Sequence, residues 1–324
     1  MDICNEIYSI LDNFSIKNPV DIRIGGGTAC PKYIFTYSGK KFILKKKRKE
    51  FTPADVALFD LSVITHLSEK GMPVVVPSYS ADFSYELSEY IEGLHNFVQG
   101  DREEIASAAS YLGKMHRLLH AFTPQGGKKW EREFLPSAVK SELLEHINAS
   151  PRVFHGKSAV KKVLRCIDNL IDKYSTEGLT HSIVHGDYTS ANVKFREKTV
   201  KGIFDFDWTS FQNTLYDISR ALVYFCFTRT KSLEESDIWS LVQPCRINTE
   251  NAKIFMASYK QEFFFTQADS EFLPFALLEF FTGSRIRAMR KVADENKARM
   301  LENGLVEMIE DIEKEKDSLV KACR

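Results

Sequence analysis

The stretch VHGDYTSANVKF, residues 184–195, sets His185, Asp187 and Asn192 behind a short apolar lead. Asp, Thr, Ser and Asn are also turn formers, so the segment by itself reads equally well as a plain loop. Its neighbours in the chain add chemistry. Asp205 follows Asn192 in IFDFDW, across an expected β-turn-β, and Lys45 ends the apolar run KFILK far upstream. Phosphoryl transfer from a nucleotide asks for such side chains. One carboxylate orients an acceptor hydroxyl and takes its proton, an amide and a second carboxylate hold Mg²⁺, and a lysine pins the phosphates. An Asp-x4-Asn turn after a strand, with an Asp on the next hairpin, brings three oxygen-bearing side chains to one cleft.

The elements that must position them can be read from periodicity. Residues 3–14 read as a short helix. A strand or loop carrying Gly25, Gly26 and Gly27 precedes a β-hairpin, with apolar residues alternating at Tyr33, Phe35 and Tyr37, then Phe42 and Leu44. TPADVALFDLSVITHLSEKG predicts a helix with Thr52 as cap, Pro53 at its first position and Gly71 at its end. Two more strands run up to EYIEG. From residue 101 the period is helical, with a loop near Pro151, and a strand-rich island spans 181–208. From Tyr216 onward the pattern is helical again, ending in a charged tail that reads as a solvated helix face. The expected architecture is α+β: a β-rich lobe over residues 1–93 and a larger, mainly helical lobe over 94–324.

Composition excludes several alternatives. The chain has 324 residues, 44% of them hydrophobic and 27% charged, with 44 basic against 44 acidic side chains and no formal net charge. No global field draws it to nucleic acid or an anionic membrane, although residues 40–49 are locally basic. The six cysteines are scattered, without metal-type spacing, and read as reduced thiols. The first residues lack a basic-then-apolar leader, and no apolar run approaches the ~20 residues of a membrane span. The expected location is the cytoplasm. Oligomeric state is left open.

HGDYTSANVKF, IFDFDW and YDISRAL together resemble the aminoglycoside phosphotransferase and choline kinase superfamily, small-molecule kinases with a protein-kinase-like two-lobe fold. The look is nearest its homoserine-kinase-like and spore-coat-kinase-like branch. The resemblance implies Asp187 as catalytic base, and Asn192 and Asp205 as Mg²⁺ ligands. It implies His185 and Asp217 as structural supports of the catalytic loop, and ATP or GTP as donor. Asp207 is left open between metal or substrate contact and a solvated turn. Lys45 would hold the phosphates, with Lys46 as alternative; strand alternation puts Ile43 and Lys45 on the face opposite Phe42 and Leu44. GGGTACPKY resembles the phosphate-covering loop, with Gly26, Gly27 and Thr28 as contacts. The family's helix Glu, partner of the strand lysine, aligns with Asp60, one methylene shorter, with Asp55 as second option. SEYIEG resembles the hinge, where backbone groups of Glu89, Tyr90 and Ile91 would meet adenine.

Two features oppose a protein substrate. Gly186 stands where protein kinases usually carry an Arg, and no A-P-E follows Asp205. The acceptor is therefore expected to be a small-molecule hydroxyl: an antibiotic, amino alcohol, homoserine-like or sugar-like compound. Cationic acceptors would want acids, for which Asp207, Glu142, Glu145 and Glu279 are candidates. A nucleotide-binding interaction module without turnover is the second reading; the intact Asp187, Asn192 and Asp205 set favours the enzyme.

Overall fold

The structure, a computed structural model, describes residues 3–25, 31–128, 135–173, 177–234 and 237–323. Gly26, Gly27 and Thr28 lie outside the described residues. The chain opens with α1 (Ile3–Asp12) and builds an antiparallel sheet. Its strands are β1 (Val20–Gly25), β2 (Lys32–Tyr37) and β3 (Lys40–Lys46), then, after helix α2 (Ala54–Glu69), β4 (Ser78–Tyr79) and β5 (Tyr85–Glu89). The strand order is β1-β2-β3-β5-β4. The β2–β3 hairpin turns on Ser38 and Gly39, whose φ angles are 50° and 77°. Positive φ at both turn residues gives the twist that suits a two-residue hairpin. The pleat sends Leu44 into a small core with Ile7, Leu11, Phe35 and Leu87, and Lys45 to the opposite face. Lys46, the alternative phosphate lysine, is exposed.

Helix α2 ends as the sequence predicts and starts differently. Gly71, at φ 73°, lets its own N–H reach Ser68 O and that of Met72 reach Leu67 O, at 2.9 and 3.0 Å. Thr52 does not cap the helix. Its hydroxyl donates to Lys49 O at 2.9 Å, on the 3₁₀ turn Lys49–Phe51, and Pro53 takes the cap position. The apolar face of α2, with Phe59, Val63, Ile64 and Leu67, is buried in the core of the larger part of the molecule. A helix entered from the sheet thus anchors the sheet to what lies below it.

The larger part runs through α3 (Arg102–Leu119), α4 (Pro136–Ala149), the single turn α5 (Pro151–Phe154) and α6 (Ser158–Asp172). Pro151 therefore opens a helical turn, as its fixed φ permits, rather than a loop. Next comes the β island: β6 (His181–Val184), β7 (Val193–Arg196), β8 (Thr199–Ile203) and β9 (Ser210–Asn213). β6 pairs with β9, and β7 with β8. Helix α7 (Leu215–Ala221) runs into a π-helical turn, Leu222–Cys226, and then β10 (Phe227–Arg229). The remaining elements are α8 (Ile238–Leu241), β11 (Cys245–Ile247), α9 (Thr249–Glu262), α10 (Gln267–Ala288), α11 (Lys297–Glu302) and α12 (Leu305–Cys323).

Two further expectations for this part of the chain are corrected. The stretch after Tyr216 is not uniformly helical, because β10 and β11 form a short antiparallel pair. The charged tail is more than a solvated face. Leu305, Met308, Ile309 and Ile312 of α12 recur at helical spacing and are buried in the main core. Among the described residues no helix is long and apolar enough to cross a membrane. Cys166, Cys226, Cys245 and Cys323 are unbridged and buried.

Candidate active site

The loop after β6 is built around two buried groups. Asp217, near the start of α7, accepts the backbone N–H groups of His185 and Gly186 at 2.6 and 2.8 Å. His116 of α3 stands 3.2 Å from the same carboxylate and is itself 2.8 Å from the Tyr259 hydroxyl. Burial alone would raise the Asp217 pKa, but the hydrogen bond and charge of His116, then His185, hold it below the usual carboxylate value. The Asp187 N–H donates to His185 Nδ1 at 3.2 Å. The proton of this ring therefore sits on Nε2, which is 3.0 Å from Phe204 O. Burial lowers the His185 pKa against the pull of Asp217 and Asp205, so the ring is a neutral spacer joining two loops. Gly186 has φ 82°, and a Cβ there would overlap the carbonyl of Trp208. That crowding accounts for glycine before Asp187.

Asp187 and Asn192 then meet at the surface of the cleft. Asn192 Nδ2 donates to Asp187 O at 3.0 Å and to Oδ2 at 2.8 Å. Phe204 N–H donates to Asn192 O at 2.9 Å, which brings Asp205 alongside. Asp205 sits at φ 69° and ψ 65° before the 3₁₀ turn Phe206–Trp208. Asp is one of the few residues that tolerate the left-handed region as a single residue.

From the sheet above, Lys45 Nζ reaches Asp205 Oδ1 at 3.0 Å, Asp207 Oδ2 at 2.7 Å and Glu86 Oε1 at 3.2 Å. Burial pulls the Lys45 pKa down, but Glu86, Asp205 and Asp207 outweigh it and raise it well above the ordinary value. Asp207 is buried and not a solvated turn residue. Its other oxygen is 2.9 Å from Lys47 Nζ. Despite burial, Lys45 and Lys47 hold the Asp207 carboxyl well below the usual range.

Asp60 does not pair with Lys45. It lies 2.6 Å from Lys128 Nζ and 3.7 Å from Lys47 Nζ. The acid that meets Lys45 from the N-terminal part is Glu86, its direct partner across β3 and β5. The reason is geometric: a cross-strand neighbour is already within reach, whereas the shorter Asp side chain on α2 meets lysines nearer the helix. Burial pushes Asp60 up to about 7, against the pull of Lys128 and Lys47. Asp55, the second option, makes no ion pair among the described residues.

A cleft of about 800 Å³ gathers Lys45, Asp187, Asn192, Asp205 and Asp207 on its walls. His185 and Asp217 lie beneath it. Glu89, Tyr90 and Ile91 are not on its lining. The Tyr90 N–H donates to Lys41 O at 2.9 Å and continues the ladder of β5, and the Glu89 carboxylate meets Lys40 at 3.3 Å.

The donor set fits a hard divalent cation. Asn192 spends its Nδ2 on Asp187, which turns Oδ1 the other way, and Asp205 adds a partly exposed carboxylate on the same wall. No group of three or more His, Cys, Asp or Glu side chains that could together hold a metal ion occurs among the described residues, so the set is one amide and one carboxylate, with room for phosphate oxygens.

Sequence reasoning passed over Glu86, Lys47, Lys128 and Arg220. Glu86 had a signal, since the strands around it were expected, but their register was not. Arg220 Nε lies 3.7 Å from Asp187 Oδ1. It is a helical turn beyond Tyr216, over whose ring its guanidinium stacks at 4.6 Å.

Fold and site together define a kinase of small molecules. The family model described as "Phosphotransferase enzyme family" matches residues 22–236, and the chain belongs to that family. It is 24% identical over 278 residues to a homoserine kinase of Zymomonas mobilis, covering 82% of this chain and 79% of that one. It is 25% identical over 231 residues to a homoserine kinase of Phenylobacterium zucineum, covering 69% of each. Among solved structures, a microcompartment-associated aminopropanol kinase superposes with a TM-score of 0.68 at 15% identity, covering 98% of both chains. A choline kinase of Cryptosporidium parvum gives 0.67 at 13%, covering 98% of this chain and 97% of that one.

Proposed function

We propose that the chain transfers the γ-phosphoryl group of ATP to a hydroxyl of a small molecule, with Mg²⁺ as cofactor. The observation that carries this is the convergence of Lys45, Asp187, Asn192 and Asp205 on one cleft. In this reading residues 1–93 cover the nucleotide, and residues 94–324 carry the catalytic loop, the metal ligands and the acceptor pocket. Gly26, Gly27 and Thr28 would approach the phosphates, and the segment Glu89 to Ile91 would lie near the base. Asp187 holds the acceptor hydroxyl and takes its proton at the carboxylate oxygen, while Asn192 fixes that carboxylate. Lys45 holds the phosphates, and Glu86 and Asp207 hold Lys45. Asn192 and Asp205 would hold Mg²⁺, which when bound neutralises phosphate charge. The rate gain then comes from positioning and fixed charge. His185 and Asp217 keep the loop in shape from below. The homoserine, amino alcohol and choline kinases similar to it make a small hydroxyl compound the natural acceptor, acting where the metabolites are, in the cytoplasm.

The test is ADP release by the purified chain with Mg²⁺-ATP, or Mg²⁺-GTP, over pooled hydroxyl compounds, beside Asp187→Asn. Release with one pool, lost in the variant, supports the reading. Nucleotide binding with no release from any pool would favour an interaction module instead.

A further inference from the structure

The acceptor side of the cleft is cationic. Beyond Asp187 its lining includes Arg220, Arg229, Arg290 and Lys291. The acids expected there for a cationic acceptor, Glu142, Glu145 and Glu279, are not on the lining. Glu142 instead lies 2.6 Å from Arg290 Nε, so that charge is answered. Glu279 is buried on α10 and lines a separate small pocket.

Arg229 is held differently. It ends β10, and its guanidinium donates to two main-chain carbonyls, Val223 O at 2.7 Å and Phe227 O at 3.3 Å. Neutral carbonyls fix its orientation without cancelling its charge, and no ion pair joins it to a carboxylate among the described residues. The guanidinium lies 5.7 Å from the ring centre of Tyr224. Gln99, also on the cleft, donates to Arg229 O at 3.2 Å and holds the strand in place. Asp187, Arg220, Tyr224 and Arg229 all line this one cleft. An oriented guanidinium with its charge intact, near the group that would hold the reacting hydroxyl, matches a carboxylate in shape and sign.

We propose that the acceptor carries a carboxylate as well as the hydroxyl that is phosphorylated, and that Arg229 binds this carboxylate. The proposal rests on the kinase reading above and narrows it to hydroxy acids and hydroxyamino acids. The γ-phosphorus–oxygen bond to the leaving ADP breaks, the new bond forms to the hydroxyl oxygen, and the proton of the hydroxyl goes to Asp187. The carboxylate takes no part in bond making.

The experiment compares matched acceptors that differ only by the carboxylate: L-homoserine with 3-aminopropan-1-ol, and L-serine with ethanolamine. Pools of other hydroxy acids, aminoglycosides and neutral sugars run beside them. ADP release with Mg²⁺-ATP should favour carboxylate-bearing compounds by about 10–100-fold in kcat/KM, the range for a hydrogen bond to a charged group. Arg229→Gln should erase most of that ratio through KM with kcat less affected, and Arg229→Lys should restore part of it. Thermal unfolding of both variants separates a binding effect from misfolding. Preference for an amino alcohol, aminoglycoside or sugar overturns the proposal and leaves the kinase reading intact. An unchanged ratio in a folded Arg229→Gln overturns the role of Arg229. Release with no compound overturns the proposal, and a nucleotide-binding measurement then shows whether the kinase reading falls with it.

Discussion

Lys45 and Glu86 stand directly opposite each other on β3 and β5, with Nζ 3.2 Å from Oε1. The strand lysine thus takes its acid from the neighbouring strand and not from α2. Glu86→Gln should raise the KM for ATP by roughly 3–10-fold, a modest loss for a charged hydrogen bond. Asp60→Asn should change that KM less, since Asp60 faces Lys47 and Lys128. Steady-state kinetics with varied ATP on both variants checks the ranking; a larger effect at Asp60 would reverse the assignment.

Asp187→Asn should lower kcat by roughly 10²–10⁴, as expected for a lost general base. The KM for ATP should stay close to that of the parent, because Asp187 faces the acceptor side. Unchanged turnover in a folded variant would remove Asp187 from its role.

Asp205→Asn is a sharper probe of the metal than an alanine, because Asn also tolerates the left-handed backbone at this position. The expected outcome is loss of Mg²⁺-dependent nucleotide affinity with little change in thermal stability. Calorimetric titration of ATP with and without Mg²⁺ reads this directly.

Gly186→Ala should destabilise the chain by roughly 1–3 kcal/mol through overlap with the Trp208 carbonyl. Left-handed backbone strain adds about 1–2 kcal/mol more. Denaturant unfolding measures it, and activity should fall alongside, since Gly186 adjoins Asp187.

His185 and Asp60 make opposed contributions to the pH dependence of stability. The pKa of His185 is lowered by burial, so the unfolded chain binds its proton first. Its contribution is complete above the unfolded value of 6.5 and is lost as pH falls below that. Asp60 is raised to about 7 from 3.8. Its contribution is complete below 3.8 and is lost as pH rises through about 7. Asp60→Asn should therefore remove a loss of stability between about pH 4 and 7, seen as a steeper rise of stability with pH over that window in urea unfolding. An unaltered slope would show that the Asp60 carboxyl titrates normally in the fold.

The sequence alone determined the local parts of this protein. The Asp187–Asn192 spacing, the turn at Ser38 and Gly39 and the stop at Gly71 are properties of short segments. Each follows from side-chain type, alternation or backbone freedom within a few residues. The strand face of Lys45 was legible for the same reason, since a pleat has a fixed period of two.

Tertiary structure decided which distant residues meet. Glu86 rather than Asp60 reaches Lys45 because strand register, not helix alignment, sets the distance. Asp207 became a buried partner of two lysines, although its neighbours in IFDFDW allow a solvated turn equally well. Arg229 came to the cleft on a strand within a stretch whose pattern reads as helix. The charge of a pocket depends on side chains brought together from several elements, and no local pattern records that meeting.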